Sequence, residues 1–155
     1  EKHTKRMNQL AQSLVQEGQN PYERVVSIES HLARNYRYTV SLPNIGDKNP
    51  IEAFLFETRR GHCEYFATAM VLLVRSLGIP ARLVNGFRGG TWNDVGQYLS
   101  VRQGDAHSWV EVYLEPYGWI PFDPTPASDE GLPQQTKLMQ WLRHSYDSSR
   151  MLWMK

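Results

Sequence analysis

Apolar residues recur at helical spacing through the first half of the chain and alternate through the second. Over residues 5–17, Leu10 and Leu14 share a helical face and Gly18 supplies a stop. Asn20-Pro21-Tyr22-Glu23 opens a second helix, with Asn20 as N-cap, Pro21 at the first helical position and Glu23 completing a capping-box pattern. Its stripe runs through Val25, Ile28, Leu32 and Tyr36, and residues 36–40 read as a short strand. Asn49-Pro50-Ile51-Glu52 repeats the start signal and predicts a short helix to about Thr58, broken by Gly61. Cys63, Phe66, Ala67, Met70, Val74 and Leu77 predict the next helix, and Gly78 followed by Pro80 ends it. Val71, Leu72 and Leu73 make this helix apolar on more than one side, which predicts a central, buried element.

Beyond Pro80 the period changes to two. Residues 81–87, 97–102, 106–114 and 118–122 read as strands, with Glu115-Pro116-Tyr117-Gly118 as a hairpin turn between the last two. Gly89-Gly90 through Gly96 reads as a Gly-rich loop without the strand–glycine–helix context of a phosphate site. Leu138, Trp141, Leu142 and Met151-Leu152-Trp153-Met154 predict a helical C-terminal extension over 126–155. Helices first and antiparallel strands afterwards give an α+β layout, with a buried helix packed on a small antiparallel sheet. The 155 residues fit one domain, 1–155, with its core at about 22–125.

Composition narrows the classes. With 17 Lys and Arg against 16 Asp and Glu, the net charge is +1, and no nucleic-acid partner is implied. Hydrophobic residues at 41% and charged residues at 21% are ordinary for a folded chain. No run of about 18 apolar residues occurs. The chain opens at Glu1 rather than Met, which reads as a piece of something longer. One cysteine forms no internal disulfide, so cysteine usage leaves the redox compartment open.

That cysteine carries the candidate chemistry. Cys63 stands at a helix start in Gly61-His62-Cys63-Glu64-Tyr65-Phe66-Ala67, where unpaired first-turn N–H groups favour the thiolate over the thiol, whose ordinary pKa is about 8.5. A lone cysteine is also often a small buried hydrophobe. Alternation over 106–114 puts Ser108, Val110, Val112 and Leu114 on one face and His107, Trp109, Glu111 and Tyr113 on the other. A turn centred between Pro116 and Tyr117 sets Glu111 opposite Phe122, with Asp123 on the next pair towards His107. An acid there holds the imidazole tautomer and stabilises imidazolium. Asp123 as a turn former in Asp-Pro-Thr-Pro is the bland alternative, and Asp105 and Glu111 are rival orienters. His62, Cys63 and Glu64 are contiguous, a poor spacing for zinc, so no metal site is expected.

These three blocks, Gly61 to Ala67, Asp105-Ala106-His107-Ser108-Trp109-Val110-Glu111-Val112 and Gly118-Trp119-Ile120-Pro121-Phe122-Asp123-Pro124-Thr125-Pro126, resemble the transglutaminase-like core. Leu77-Gly78-Ile79-Pro80-Ala81-Arg82 adds to the likeness, which extends from about Tyr22 to Thr125 and is nearest to the periplasmic domain of bacterial inner-membrane transglutaminase-like proteins. The resemblance implies a papain-like α+β fold, with Cys63 as nucleophile, His107 as base and acid and Asp123 as orienter. It implies acyl transfer from a glutamine carboxamide to a lysine amine or to water, on protein or peptide substrates. It places the chain at the periplasmic face of the bacterial inner membrane, anchored through segments outside this sequence. No cofactor and no calcium site are carried over. The oxyanion-hole tryptophan of larger relatives precedes the cysteine, and no Trp precedes Cys63; the Cys63 N–H and Tyr38 are the donors left to consider. A peptidase or amidase with the same triad, or a non-catalytic interaction domain, are the competing readings.

Overall fold

Elements form where the capping chemistry starts and stops them. The computed structural model describes residues 2–126. It divides into two compact units, one holding the residues up to Gly86 together with those from His107, the other including Phe87–Ala106. The expected C-terminal helix lies outside the described residues.

In the first unit, α1 (Lys2–Ser13) buries Met7 and Ala11 and packs Leu10 and Leu14 beside them. It ends short of the expected Gly18. The Ser13 hydroxyl donates to the Leu10 carbonyl at 2.7 Å, an acceptor that the last turn also uses. α2 (Pro21–Asn35) carries the full capping box: Asn20 accepts from the Glu23 amide and Glu23 accepts from the Asn20 amide, each at 2.9 Å. Such a cap contributes about 1 kcal/mol. The expected strand at 36–40 is present only as β1 (Arg37–Tyr38). α3 (Pro50–Ala53), capped by Asn49, widens into a π-turn over Phe54–Thr58, and Arg59 leaves it in the left-handed region at φ 52°. Then β2 (Arg60–Gly61) pairs in parallel with β1, Arg37 opposite Arg60 and Tyr38 opposite Gly61.

α4 (Cys63–Ser76) is the central helix. Phe66, Ala67, Met70, Leu73 and Val74 are fully buried. Gly78, at φ +77°, closes it as the sequence predicts, donating its amide to the Arg75 carbonyl. α4 shares one core with Val25, Ile28 and Leu32 of α2 and with Val110, Val112, Leu114 and Phe122 of the sheet. That sheet has the order β3 (Ala81–Phe87), β6 (Ala106–Leu114), β7 (Gly118–Phe122). Burial along β6 alternates, with Ser108, Val110, Val112 and Leu114 inward. β6 and β7 are antiparallel, and β3 is tied to β6 by Tyr113 N–H to Pro80 O and Ser108 Oγ to Asn85 Oδ1.

The second unit holds what the glycines of 89–96 conceal in sequence. β4 (Thr91–Asn93) pairs antiparallel with β5 (Tyr98–Ser100), so the expected loop is half of a hairpin and the expected 97–102 strand is shorter. Asn93 Oδ1 accepts from the Val95 and Gly96 amides, an Asx turn that reverses the chain. A short 3₁₀ turn over Gln103–Asp105 leads out.

Candidate active site

Cys63 is the first residue of α4, with His62 as an N-cap that makes no side-chain capping bond. The Tyr65 amide donates to the His62 carbonyl at 2.9 Å, which leaves the earlier amides of Cys63 and Glu64 ahead of the helix's own ladder. The thiol is half-buried and unpaired with any other cysteine. The segment before it is fixed closely. The Thr39 amide donates to the Gly61 carbonyl, and a Cβ built on Gly61 would meet the Tyr65 side chain at 2.8 Å. Tyr38 therefore stands beside Gly61 across the β1–β2 pair, two residues before the thiol. His62 turns towards its neighbours, edge-on to Tyr65 and 4.0 Å from the Glu64 carboxylate.

His107 and Asp123 meet: His107 Nε2 lies 2.7 Å from Asp123 Oδ2. An ionised carboxylate only accepts, so Nε2 carries a hydrogen and Nδ1 is the ring nitrogen left for another partner. His107 is largely covered, its side chain 13% exposed, and the acid is 30% exposed. Trp109 stacks beside the imidazole at 20° and 6.4 Å between centroids. Trp109 in turn lies on Gly86, where a Cβ would come within 2.8 Å of the indole. The thiol forms no hydrogen bond with His107 among the described residues.

The hairpin register differs from the sequence expectation by one residue. Glu111 stands opposite Pro121, not Phe122, because the turn is a three-residue loop, Glu115 to Tyr117, closed by the Leu114–Gly118 pair with Gly118 at φ +81°. Continuing that register one position places Asp123 across from Trp109, on the face that His107 uses. The expected register would have put the acid opposite Val110, on the buried face.

Asp123 also closes its turn, for Oδ1 accepts from the Thr125 amide at 3.1 Å. The two readings of this residue are thus compatible, one oxygen for each. The rival acids are engaged elsewhere: Glu111 pairs with Arg82 at 2.7 Å, and Asp105 accepts from the Arg102 amide. Among the described residues, no three His, Cys, Asp or Glu side chains are grouped to hold a metal ion.

One residue escapes the sequence reading. Glu29 on α2 accepts from the Asp123 amide at 3.0 Å, joining positions far apart in sequence. Burial pushes its carboxyl pKa up; the hydrogen bond from the Asp123 amide lowers it, and the neighbouring Asp123 charge raises it again. The available signal was its place one turn from Val25 and from Leu32, a carboxylate beside the apolar stripe.

The sequence model of the transglutaminase-like superfamily matches residues 8–124. The chain belongs to this superfamily. The matched span takes in Cys63, His107 and Asp123 together. Over 90 residues the chain is 46% identical to a protein-glutamine gamma-glutamyltransferase of Pseudomonas aeruginosa, covering 58% of this chain and 13% of that protein. The periplasmic domain of TgpA from P. aeruginosa, solved bound to ethylmercury, has a TM-score of 0.70 and 38% identity over 78% of this chain and 44% of that one. A Cytophaga hutchinsonii protein described as a proposed cysteine protease gives a TM-score of 0.60 and 26% identity, over 79% of this chain and 37% of that one. The transglutaminase-like chain thus spans less than half the length of each of these proteins.

Proposed function

We propose that this chain is a cysteine-dependent acyltransferase acting on glutamine side chains of proteins or peptides. The observation that carries this reading is the 2.7 Å contact of His107 Nε2 with Asp123, which leaves Nδ1 as the base, in a chain whose only thiol begins a helix. His107 Nδ1 takes the thiol proton, and Cys63 as thiolate attacks the carboxamide carbon. The imidazolium of His107 gives its proton to the leaving nitrogen, and ammonia departs from a thioester on Sγ. A lysine amine or water then attacks, His107 takes the proton, and the thiolate is restored. Asp123 holds the ring in the tautomer that this needs and stabilises the imidazolium. Amides of the first turn of α4, with Tyr38 as a second donor, are the proposed stabilisers of the tetrahedral oxyanion. Lysine- and glutamine-bearing proteins are the proposed partners.

The gamma-glutamyltransferase name of one relative supports transfer of the glutamine acyl group. The protease description of the Cytophaga protein favours a second reading, backbone cleavage through a main-chain acyl thioester on the same thiol. The periplasmic neighbour supports a location on the outer face of the bacterial inner membrane. No helix among the described residues is long and apolar enough to cross a membrane, so the proposed anchor lies in other segments.

The test is incorporation of a labelled amine into a glutamine donor. Cys63→Ala is expected to abolish it while the melting curve persists, and equal incorporation by that variant would overturn the assignment. Mass spectrometry of the products separates the readings: cross-linked or deamidated glutamine supports transfer, a cut backbone supports proteolysis.

A further inference from the structure

The short β1–β2 pair carries an arrangement that stability alone does not favour. Arg37 and Arg60 are register partners in a parallel ladder of two residues, so their side chains leave the same side. Like charges set directly opposite repel. Both are exposed, and neither has an acidic partner within ion-pair distance among the described residues. Arg59, also exposed, follows the π-turn next to them. Three other cations of this unit do have acidic partners: Arg6 with Glu52, Lys48 with Glu57 and Arg82 with Glu111.

The two arginines also line a cavity. It has a volume of about 420 Å³, with Tyr38, Thr39 and Ser41 as further polar walls and Leu42 and Pro43 as an apolar side. That volume suits a small ligand or one or two peptide side chains. β2 runs from this cavity directly into His62 and Cys63.

We propose that Arg37 and Arg60 form an anion subsite that receives a carboxylate of the glutamine-donor peptide, an Asp or Glu near the reacting glutamine. The acidic side chain replaces the missing counter-charge between the two arginines, its carboxylate bonded to their N–H groups and its stem against Leu42 and Pro43. The subsite deepens the acyl-transfer reading and rests on it for its place in the reaction, but its occupancy is measured separately.

The experiment uses the 155-residue chain carrying Cys63→Ala and fluorescent glutamine peptides identical except for flanking Glu, Gln or Lys. The Glu peptide is expected to bind about tenfold more tightly than the Gln peptide, an advantage that shrinks with added salt. Arg37→Gln with Arg60→Gln is expected to erase the advantage, Arg37→Lys with Arg60→Lys to keep part of it, and Arg37→Glu with Arg60→Glu to move it to the Lys peptide. Melting curves establish that each variant folds. Equal binding of the three peptides, or an advantage that survives the Gln variants, overturns the subsite. Binding to anionic lipid vesicles with none to the Glu peptide overturns the peptide assignment. Charge-selective binding with neither amine incorporation nor glutamine deamidation by the wild type overturns the proposed reaction and leaves the subsite standing.

Discussion

Asp123 touches different partners through different groups. One oxygen meets His107, the other closes the turn at Thr125, and its amide is held by Glu29. We propose Glu29 as a positioning residue, and its variants separate geometry from charge. Glu29→Gln keeps an oxygen for the amide, and kcat for amine incorporation is expected within a few-fold of wild type. Glu29→Ala removes the anchor and is expected to lower kcat by up to about 100-fold with KM little changed. Wild-type kcat in Glu29→Ala would remove it from the machinery. The pH dependence follows from its raised pKa, caused first by burial. As pH rises, the unfolded chain gives up this proton before the folded chain does. The contribution to stability is therefore present below the ordinary carboxylate range and lost as pH passes the raised folded value. The melting temperature of wild type relative to Glu29→Gln is expected to fall across that window; a rise would contradict the sign.

At the scale of elements, β6 joins the core to the chemistry through its alternation. Ser108, Val110 and Val112 face inward, while His107 and Trp109 take the other side. Trp109 rests on Gly86 of β3 with no room for a methyl group. Gly86→Ala is expected to displace the indole and the imidazole stacked beside it, lowering amine incorporation about tenfold and stability by about 1–3 kcal/mol. Unchanged activity in that variant would show that Trp109 does not steady His107. The helix starts at Asn20, Asn49 and Cys63 and the stop at Gly78 were legible in sequence because capping is local chemistry. The β4 strand and the one-residue register were not. Three residues between glycines carry too little alternation to show as a strand, and the closing geometry of a turn depends on a Gly φ that composition does not reveal.

For the first unit as a whole, one core links α1, α2, α4 and the sheet. Met70 is fully buried within it. Met70→Ala is expected to cost about 2–5 kcal/mol, read as a lower urea midpoint with the slope unchanged. A change below 1 kcal/mol would mean that the neighbours collapse into the space. The α+β class and the pairing of His107 with Asp123 followed from sequence, since the first rests on periodicity and the second on a hairpin only 16 positions long. Glu29 did not, because its partner lies 94 positions away and nothing local announces it.

The three-residue turn between β6 and β7 sets a rule of parity. Directly opposed residues of an antiparallel pair share a face, so with three residues between Leu114 and Gly118 positions of equal parity, such as 107 and 123, fall on one side. A single inserted or deleted residue that shifts the register by one would send Asp123 to the wrong side of the sheet with Cys63, His107 and Asp123 all still present. Two at once would restore it. A residue taken up inside the loop, with the same strand residues still opposed, leaves the side unchanged, so the register as well as the three residues decides whether a copy of this hairpin keeps its acid beside the histidine.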